Sequence, residues 1–278
     1  MKSNTEETTN SEVKPCTYEL CKICGGPSRY FDTATVLDRY QVTYSRCDNC
    51  GLVETEKPYW LAESYSEAIA RSDLGLASRN VDLARKTRLL LSLLFGNAKK
   101  FVDYGGGYGL FVRLMRDRGF DFYRFDTYCP NIFAKGFEVG SDAVGFDLLT
   151  AFEVFEHLSD PVGELTTMLS MAPTIVLTTD LIPRLNPPKP HEWWYYATDS
   201  GQHVTLYTQE ALCHLAKRCN LHLYSARNFH VLSRKPIRKW LFSLAFNFNC
   251  AGFIRPFIAG RPSLLPTDFQ ALTGKSLH

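Results

Sequence analysis

The chain has 278 residues, 45% hydrophobic and 22% charged, an ordinary globular composition with enough material for one substantial core and a small accessory unit. Its formal net charge of +2 sets up no strong field for gathering phosphates, which argues against nucleic acid as a partner. No run approaches the ~18 apolar residues of a membrane span, and the polar opening from Met1 to Lys14 lacks the apolar segment of a secretory signal, so a cytoplasmic protein is expected.

Residues 1–15 read as a disordered tail. Residues 16–57 carry Cys21-Lys-Ile-Cys24-Gly25 and Cys47-Asp-Asn-Cys50-Gly51, two C-x-x-C-G knuckles with 22 residues between them. Each knuckle offers two thiolates to one tetrahedral Zn²⁺, and the glycine after its second cysteine suits the positive φ of such tight turns. Four sulfur ligands, Cys21, Cys24, Cys47 and Cys50, close the coordination sphere, so the expected zinc is structural. Cys16 lies just upstream as a bystander. Ala34 to Leu37 and Tyr40 to Tyr44 read as strands of a small zinc ribbon. Few basic residues accompany them (Arg29, Arg39, Arg46), which favours a platform for the following domain over a phosphate-tracking surface.

The main domain is expected over 58–233. A connector leads to a helix from Val81 to Phe95, with Leu83, Ala84, Leu90, Leu91 and Leu94 apolar and Gly96-Asn97 at its end. Phe101-Val-Asp103 then reads as a strand closed by an acid. Gly105-Gly106-Gly107-Tyr108-Gly109 follows it, and a helix carrying Leu110, Val112, Leu114 and Met115 runs towards Gly119. Strand, glycine turn and helix form the first unit of a nucleotide-type α/β sheet, where ligands bind outside the carboxyl ends of the strands. A dinucleotide G-x-G-x-x-G fails at Leu110, and a P-loop fails for want of a Lys-Ser/Thr pair. Asp121 to Asp126 is a second strand, and Asp126 stands where such a unit places the carboxylate that accepts ribose hydroxyls. Asn131 either reaches a cofactor or caps a turn. The short stretch 137–145 must hold the third strand; Asp142 there is a candidate adenine-binding acid or simply a loop residue. Phe146 to Phe152 is a buried-type strand that runs into Glu153-Val-Phe-Glu156-His157-Leu-Ser-Asp160-Pro161.

Three motifs in this order, D-x-G-x-G-x-G at Asp103 to Gly109, the acid-ended strand at Asp126, and E-V-x-E-H-x-x-x-P at Glu153 to Pro161, resemble those of class I S-adenosylmethionine-dependent methyltransferases. The resemblance covers Cys21 to about Ser233. It implies a Rossmann-like α/β fold with a seven-stranded sheet, fronted by the small four-cysteine zinc ribbon. It also implies S-adenosylmethionine as cofactor, contacted by Asp103, Gly105, Gly106, Gly107, Gly109, Asp126, Phe152 and Glu153. In related enzymes a segment before the first strand folds over the cofactor, which makes Tyr65 and Arg79 contacts for its methionine end, against the plainer reading of an aromatic and a surface cation in a connector.

Asp160 is placed to cap a helix with Pro161 at its first position and Leu165, Met168, Leu169 and Ala172 at helical spacing. Glu153, Glu156 and His157 are thereby left in a loop over the strand's carboxyl end. A hydroxyl nucleophile benefits from a general base there, a role that fits His157, with Glu156 or Glu153 orienting it; the alternative is a loop that only shapes the backbone around cofactor. Thr174 to Thr179 is the fifth strand. After a proline-rich loop, Trp193-Trp194-Tyr195-Tyr196 reads as a wall for stacking substrate rings. Gly201-Gln202-His203-Val-Thr-Leu-Tyr207 resembles a loop of glycan-associated members of the family, making His203 a second base candidate beside a structural role. Thr208 caps a helix bearing Leu212, Leu215, Ala216 and Cys219, and Leu221 to Ser225 with Phe229 to Ser233 form a last hairpin. The extension 234–278, basic and then apolar to Ile254, is expected to pack on the domain or on a second copy in a homodimer.

As a whole the pattern resembles bacterial methyltransferases of surface-glycan or sugar modification. Sugar C-methylating relatives carry a large additional carboxyl-terminal domain, so O-methylation of a sugar or other small hydroxylated acceptor is the function implied. A zinc-ribbon RNA methyltransferase and a non-catalytic cofactor-binding scaffold are the alternatives; the weak charge counts against the former.

Overall fold

Two sheets organise the chain in a computed structural model, which describes residues 19–65, 74–246 and 260–277. The tail over 1–15, Cys16 and the end of the apolar stretch, 247–254, lie outside the described residues. The central sheet has six strands: β5 (Lys100–Tyr104), β6 (Asp121–Phe125), β7 (Leu148–Phe152), β8 (Thr174–Thr178), β10 (His222–Ala226) and β11 (Phe229–Ser233). Its order is β10-β11-β8-β7-β5-β6, with β6, β5, β7 and β8 parallel and β11 antiparallel to both of its neighbours. Every residue of β8, and all but the last of β7, is buried, because helices cover both faces of a parallel sheet. From β5 the chain moves outward to β6 and then returns to β7 on the other side. That reversal opens a crevice at the carboxyl ends of β5 and β7.

The expected seventh strand is not formed among the described residues. The stretch 137–145 contributes one isolated bridge, Glu138 to Arg124. Its neighbourhood offers no apolar run to bury, and Gly136 and Gly145 turn the backbone to φ +86° and +85°. Asp142 is exposed on this loop and lies away from the crevice, which removes it as an adenine ligand.

After the single turn of α1 (Leu61–Ser64), helix α2 (Leu76–Leu94) starts earlier than its apolar pattern suggested, and α3 (Leu110–Arg116) follows the glycine turn. Two later helices start at the caps their sequences announced: Asp160 accepts from the Gly163 amide at 3.1 Å before α4 (Pro161–Met171), and Thr208 accepts from Ala211 at 3.0 Å before α5 (Gln209–Arg218).

The second sheet is antiparallel and contains β1 (Glu19–Leu20), β2 (Pro27–Val36), β3 (Tyr40–Cys47), β4 (Val53–Thr55) and β9 (Thr205–Leu206). Strand β9 comes from the far side of the central sheet in sequence, so the cysteine-bearing segment is built into the rest of the molecule. Cys21, Ile23, Cys47, Cys50 and Leu52 share one apolar cluster with Met168, Tyr207 and Leu212. Val36, Val42, Tyr44 and Val53 share another with Trp60, Tyr195, Tyr196 and Leu206.

The described part of the carboxyl-terminal extension packs on the domain. In α6 (Lys239–Phe246), Phe246 meets Phe229 at 4.9 Å and Phe242 meets Tyr224 at 5.9 Å between ring centres. Helix α7 (Leu265–Thr273) is clasped to α3 through Asp268, which accepts from Arg116 Nε at 2.9 Å, from Arg116 Nη2 at 2.7 Å and from Arg113 Nη1 at 2.9 Å. Removing one partner strands buried charge. Asp268→Ala is therefore expected to lower unfolding free energy by about 3 kcal/mol in urea titration; a change below about 1 kcal/mol would show that the clasp is only a surface contact.

Candidate functional site

A cleft of about 1160 Å³ occupies the crevice above β5 and β7. One wall is the glycine turn. Gly105, at φ +68°, would press a Cβ into Val154 Cγ2 at 2.7 Å, and Gly109, at φ +84°, would press one into Asn131 Oδ1 at 2.6 Å. The turn therefore needs glycine for both its conformation and its close neighbours. The amides of Gly105 and Gly106 donate to the Phe125 carbonyl at 2.9 and 3.1 Å, locking the turn to the end of β6.

Asp103 closes β5 beneath this turn. It is buried, accepts from the Thr150 hydroxyl at 2.5 Å, and desolvation pushes its carboxyl up to about 7. Asp126 stands at the end of β6 and accepts three backbone amides: Gly107 on Oδ2, and Tyr128 and Cys129 on Oδ1, each at 2.8 Å. Asn131 caps the next turn, accepting from Ala134 at 2.9 Å, and does not line the cleft. Asp103, Gly105, Gly106, Gly107, Asp126, Phe152 and Glu153 are gathered around the cleft, whereas Gly109 supports the turn from behind.

The opposite wall holds the imidazoles. His157 ends a 3-10 turn (Phe155–His157) after β7, and His203 lies just before β9; their rings meet edge to face at 4.9 Å. His203 Nδ1 donates to the Tyr195 carbonyl at 2.6 Å, which leaves its Nε2 lone pair free. His157 Nδ1 pairs with the Tyr65 hydroxyl at 2.9 Å. Burial holds both imidazoles below their ordinary value, His157 well below it, with the neighbouring His203 adding to the effect on His157. Both are neutral near pH 7.

Two carboxylates stand close by. Glu153 sits at φ +54°, lines the cleft and accepts from the Thr178 hydroxyl at 2.7 Å. Glu156 is fully buried behind the histidines and accepts from the Tyr195 hydroxyl at 2.7 Å. Desolvation pushes each up to about 7.

The four adjacent aromatics do not form one wall. Tyr195 and Tyr196 are buried at 1% exposure each, while Trp194 is 75% exposed and lines the rim together with Trp193. Tyr195, expected from the sequence as part of a stacking wall, is instead a buried hub: its hydroxyl also meets Thr179 Oγ1 at 3.1 Å and the Asp180 amide at 2.9 Å, and its carbonyl holds His203. Thr150 and Thr178, which donate to Asp103 and Glu153, and Tyr128, stacked on Tyr65 at 4.8 Å, carry no distinguishing motif. Tyr65 and Arg79 both line the cleft.

The loop bearing His203 is fastened to the amino-terminal part of the chain. Trp60 Nε1 donates to the Gly201 carbonyl at 2.8 Å, and Gln202 Nε2 donates to the Ser64 carbonyl at 2.9 Å. Apart from the cleft, the four knuckle sulfurs converge. Cys21 and Cys50 lie 3.6 Å apart and Cys24 and Cys47 3.4 Å apart, close to the ~3.8 Å edge of a tetrahedron with Zn–S bonds of about 2.3 Å. Gly25 and Gly51 take φ +70° and +75°, as their place after the second cysteine of each knuckle suggested.

A family model described as a methyltransferase domain matches residues 77–226. No curated protein sequence matches the chain. Among solved structures, the mitomycin 7-O-methyltransferase MmcR is 14% identical with a TM-score of 0.43, over 62% of this chain and 59% of that one. TnmH is 15% identical with a TM-score of 0.47, over 64% and 62%. The plantazolicin methyltransferase BpumL, in complex with SAH, is 16% identical with a TM-score of 0.42, over 70% and 89%. The chain thus spans 59% and 62% of the lengths of MmcR and TnmH.

Proposed function

Because the chain belongs to the methyltransferase-domain family, we propose that it transfers a methyl group from S-adenosylmethionine to a hydroxyl of a small acceptor of sugar type. The observation that carries this reading is the meeting, in one cleft, of the glycine turn and Asp126 on one wall with His157 and His203 on the other. Asp126 and the turn hold the nucleoside part of the cofactor, and Asp103 stabilises the turn from below. Tyr65, Arg79 and Glu153 face its methionine end. The bound cofactor supplies an electrophilic methyl carbon; the protein supplies alignment and a prepared nucleophile. The neutral imidazoles of His157 and His203, with Glu156 behind them, prepare the acceptor oxygen.

Charge in the cleft supports a neutral, hydroxylated acceptor over a polyanion. Asp126, Glu153, Asp160, Glu164 and Asp199 line it against Arg79, a balance that repels phosphates. Trp193 and Trp194 at the rim offer flat rings for a sugar or similar ring to stack on. No helix among the described residues is long and apolar enough to cross a membrane.

The reading is tested by calorimetry with S-adenosylhomocysteine and by transfer of labelled methyl from S-adenosylmethionine to sugars, nucleotide sugars and glycan extracts. Micromolar cofactor binding with label in an ether linkage is expected. Absence of cofactor binding would overturn it.

The cysteine cluster holds a structural zinc in this reading, and the sheet around it braces the loop that carries His203. Cys50→Ser, or prolonged chelation, is expected to lower the melting temperature by roughly 5–10 °C. An unchanged melting temperature after quantitative metal removal would dismiss the zinc's structural role.

A further inference from the structure

Glu156, His157 and His203 each bring one donor atom to within 4.8 Å of the others, the two histidines lining the cleft and Glu156 buried behind them. One donor atom of each residue is already committed. Glu156 Oε1 accepts from Tyr195, His203 Nδ1 donates to the Tyr195 carbonyl, and His157 Nδ1 pairs with Tyr65. What stays available is Glu156 Oε2 and the two Nε2 atoms. Oε2 belongs to a fully buried residue and has no hydrogen bond of acceptable geometry, although the Thr179 hydroxyl and the residue's own amide face the carboxylate. A buried oxygen left without a donor costs about 1–3 kcal/mol. Two further carboxylates, Glu153 and Asp180, bear on the same volume, and Arg79 is the cation that faces Glu153.

This pattern has a chemical reading. An imidazole whose far nitrogen is tied to a carbonyl or hydroxyl, and a carboxylate held by a tyrosine hydroxyl, are oriented as metal ligands usually are. Two imidazole nitrogens with one carboxylate oxygen suit a first-row divalent ion such as zinc, cobalt or iron, and leave coordination positions open. We propose that Glu156, His157 and His203 bind one divalent cation at the cleft floor, separate from the four-cysteine cluster, with its open positions facing the acceptor. Metal–ligand bonds of about 2.0–2.2 Å require the three donors to draw together by roughly 1–1.5 Å, within the reach of side-chain rotation.

The proposal deepens the reading above and rests on it for the reaction, though the binding of the cation stands without it. An acceptor hydroxyl held at the cation is made more acidic and gives its proton to the Glu153 carboxylate. Its oxygen then forms the new O–C bond as the sulfonium S–C bond breaks, leaving a methyl ether and a neutral thioether.

Cobalt titration of the chelator-treated full-length chain separates the two sites, because a thiolate site shows sulfur-to-cobalt charge-transfer absorption and a nitrogen–oxygen site shows d–d bands alone. Wild type is expected to take two equivalents, one of each kind. Glu156→Gln and His203→Ala should each weaken the second by at least about tenfold while retaining the first and retaining affinity for S-adenosylhomocysteine. A single thiolate-type equivalent in wild type, or a second equivalent unaffected by both variants, overturns the proposal. Failure of S-adenosylhomocysteine to bind wild type would instead overturn the methyltransferase reading and leave the cobalt result standing.

Discussion

Asp126→Ala is expected to abolish measurable cofactor binding, raising the dissociation constant for S-adenosylhomocysteine by about 100-fold or more. The carboxylate works in two directions. Towards the protein it accepts the amides of Gly107, Tyr128 and Cys129, so it fastens the glycine turn to the loop after β6. Towards the cleft it keeps the remaining acceptor capacity of its four lone-pair sites, which the proposed function assigns to a ribose hydroxyl. Alanine removes both, and hydrogen bonds to a charged group contribute about 1.5–3 kcal/mol each. Asp126→Asn keeps one acceptor oxygen, enough for the Gly107 amide or for the Tyr128 and Cys129 amides but not for both, and carries no charge for the ligand; intermediate affinity is expected. Calorimetry giving a dissociation constant within a few-fold of wild type for Asp126→Ala would show that the cofactor sits elsewhere.

His203→Ala and His157→Ala should leave that affinity within about twofold and reduce turnover by roughly 10²–10⁴-fold, the usual range for losing a group that prepares the reacting oxygen. The two rings touch, and both are oriented by neighbours outside the cofactor wall, Tyr195 for His203 and Tyr65 for His157. Groups that act as one unit are not additive. The double variant His157→Ala/His203→Ala is therefore expected to be no slower than the slower single variant. Single-turnover methyl transfer with saturating cofactor is the appropriate measurement. Multiplying losses, or equal loss of cofactor affinity, would show that the rings serve separate purposes or that His157 and His203 merely shape the cofactor pocket.

The local features of the fold were legible in the sequence. Strand, glycine turn and helix around Asp103 to Met115, the acid-ended strand at Asp126, the caps at Asp160 and Thr208 and the positive-φ glycines of the two knuckles all appear where their residues place them. Each is settled within a few residues, by a side chain satisfying a nearby amide or by a backbone angle that glycine alone reaches cheaply. One local inference failed for the same kind of reason. A sheet position was expected over 137–145, but glycine-rich, polar chain cannot supply a buried strand.

What remained open in the sequence depended on partners distant in the chain. Which of Trp193, Trp194, Tyr195 and Tyr196 would face solvent could not be read from four equally apolar rings; a 3-10 turn (Trp194–Tyr196) and the second sheet turn Tyr195 and Tyr196 inward and leave Trp194 outside. The sequence offered His157 and His203 as separate candidates. Tertiary packing made them neighbours, set His203's free nitrogen through the Tyr195 carbonyl, and buried Glu156 against the Tyr195 hydroxyl. Pairing of β4 with β9 likewise joined the cysteine-bearing segment to the loop before the last helix of the central fold. Composition and spacing therefore determined the wall built from the glycine turn and Asp126, whose contacts are local. The wall that carries His157 and His203 was decided only by long-range burial, because a hydrogen-bonding side chain acquires its proton state and direction from whatever the fold packs against it.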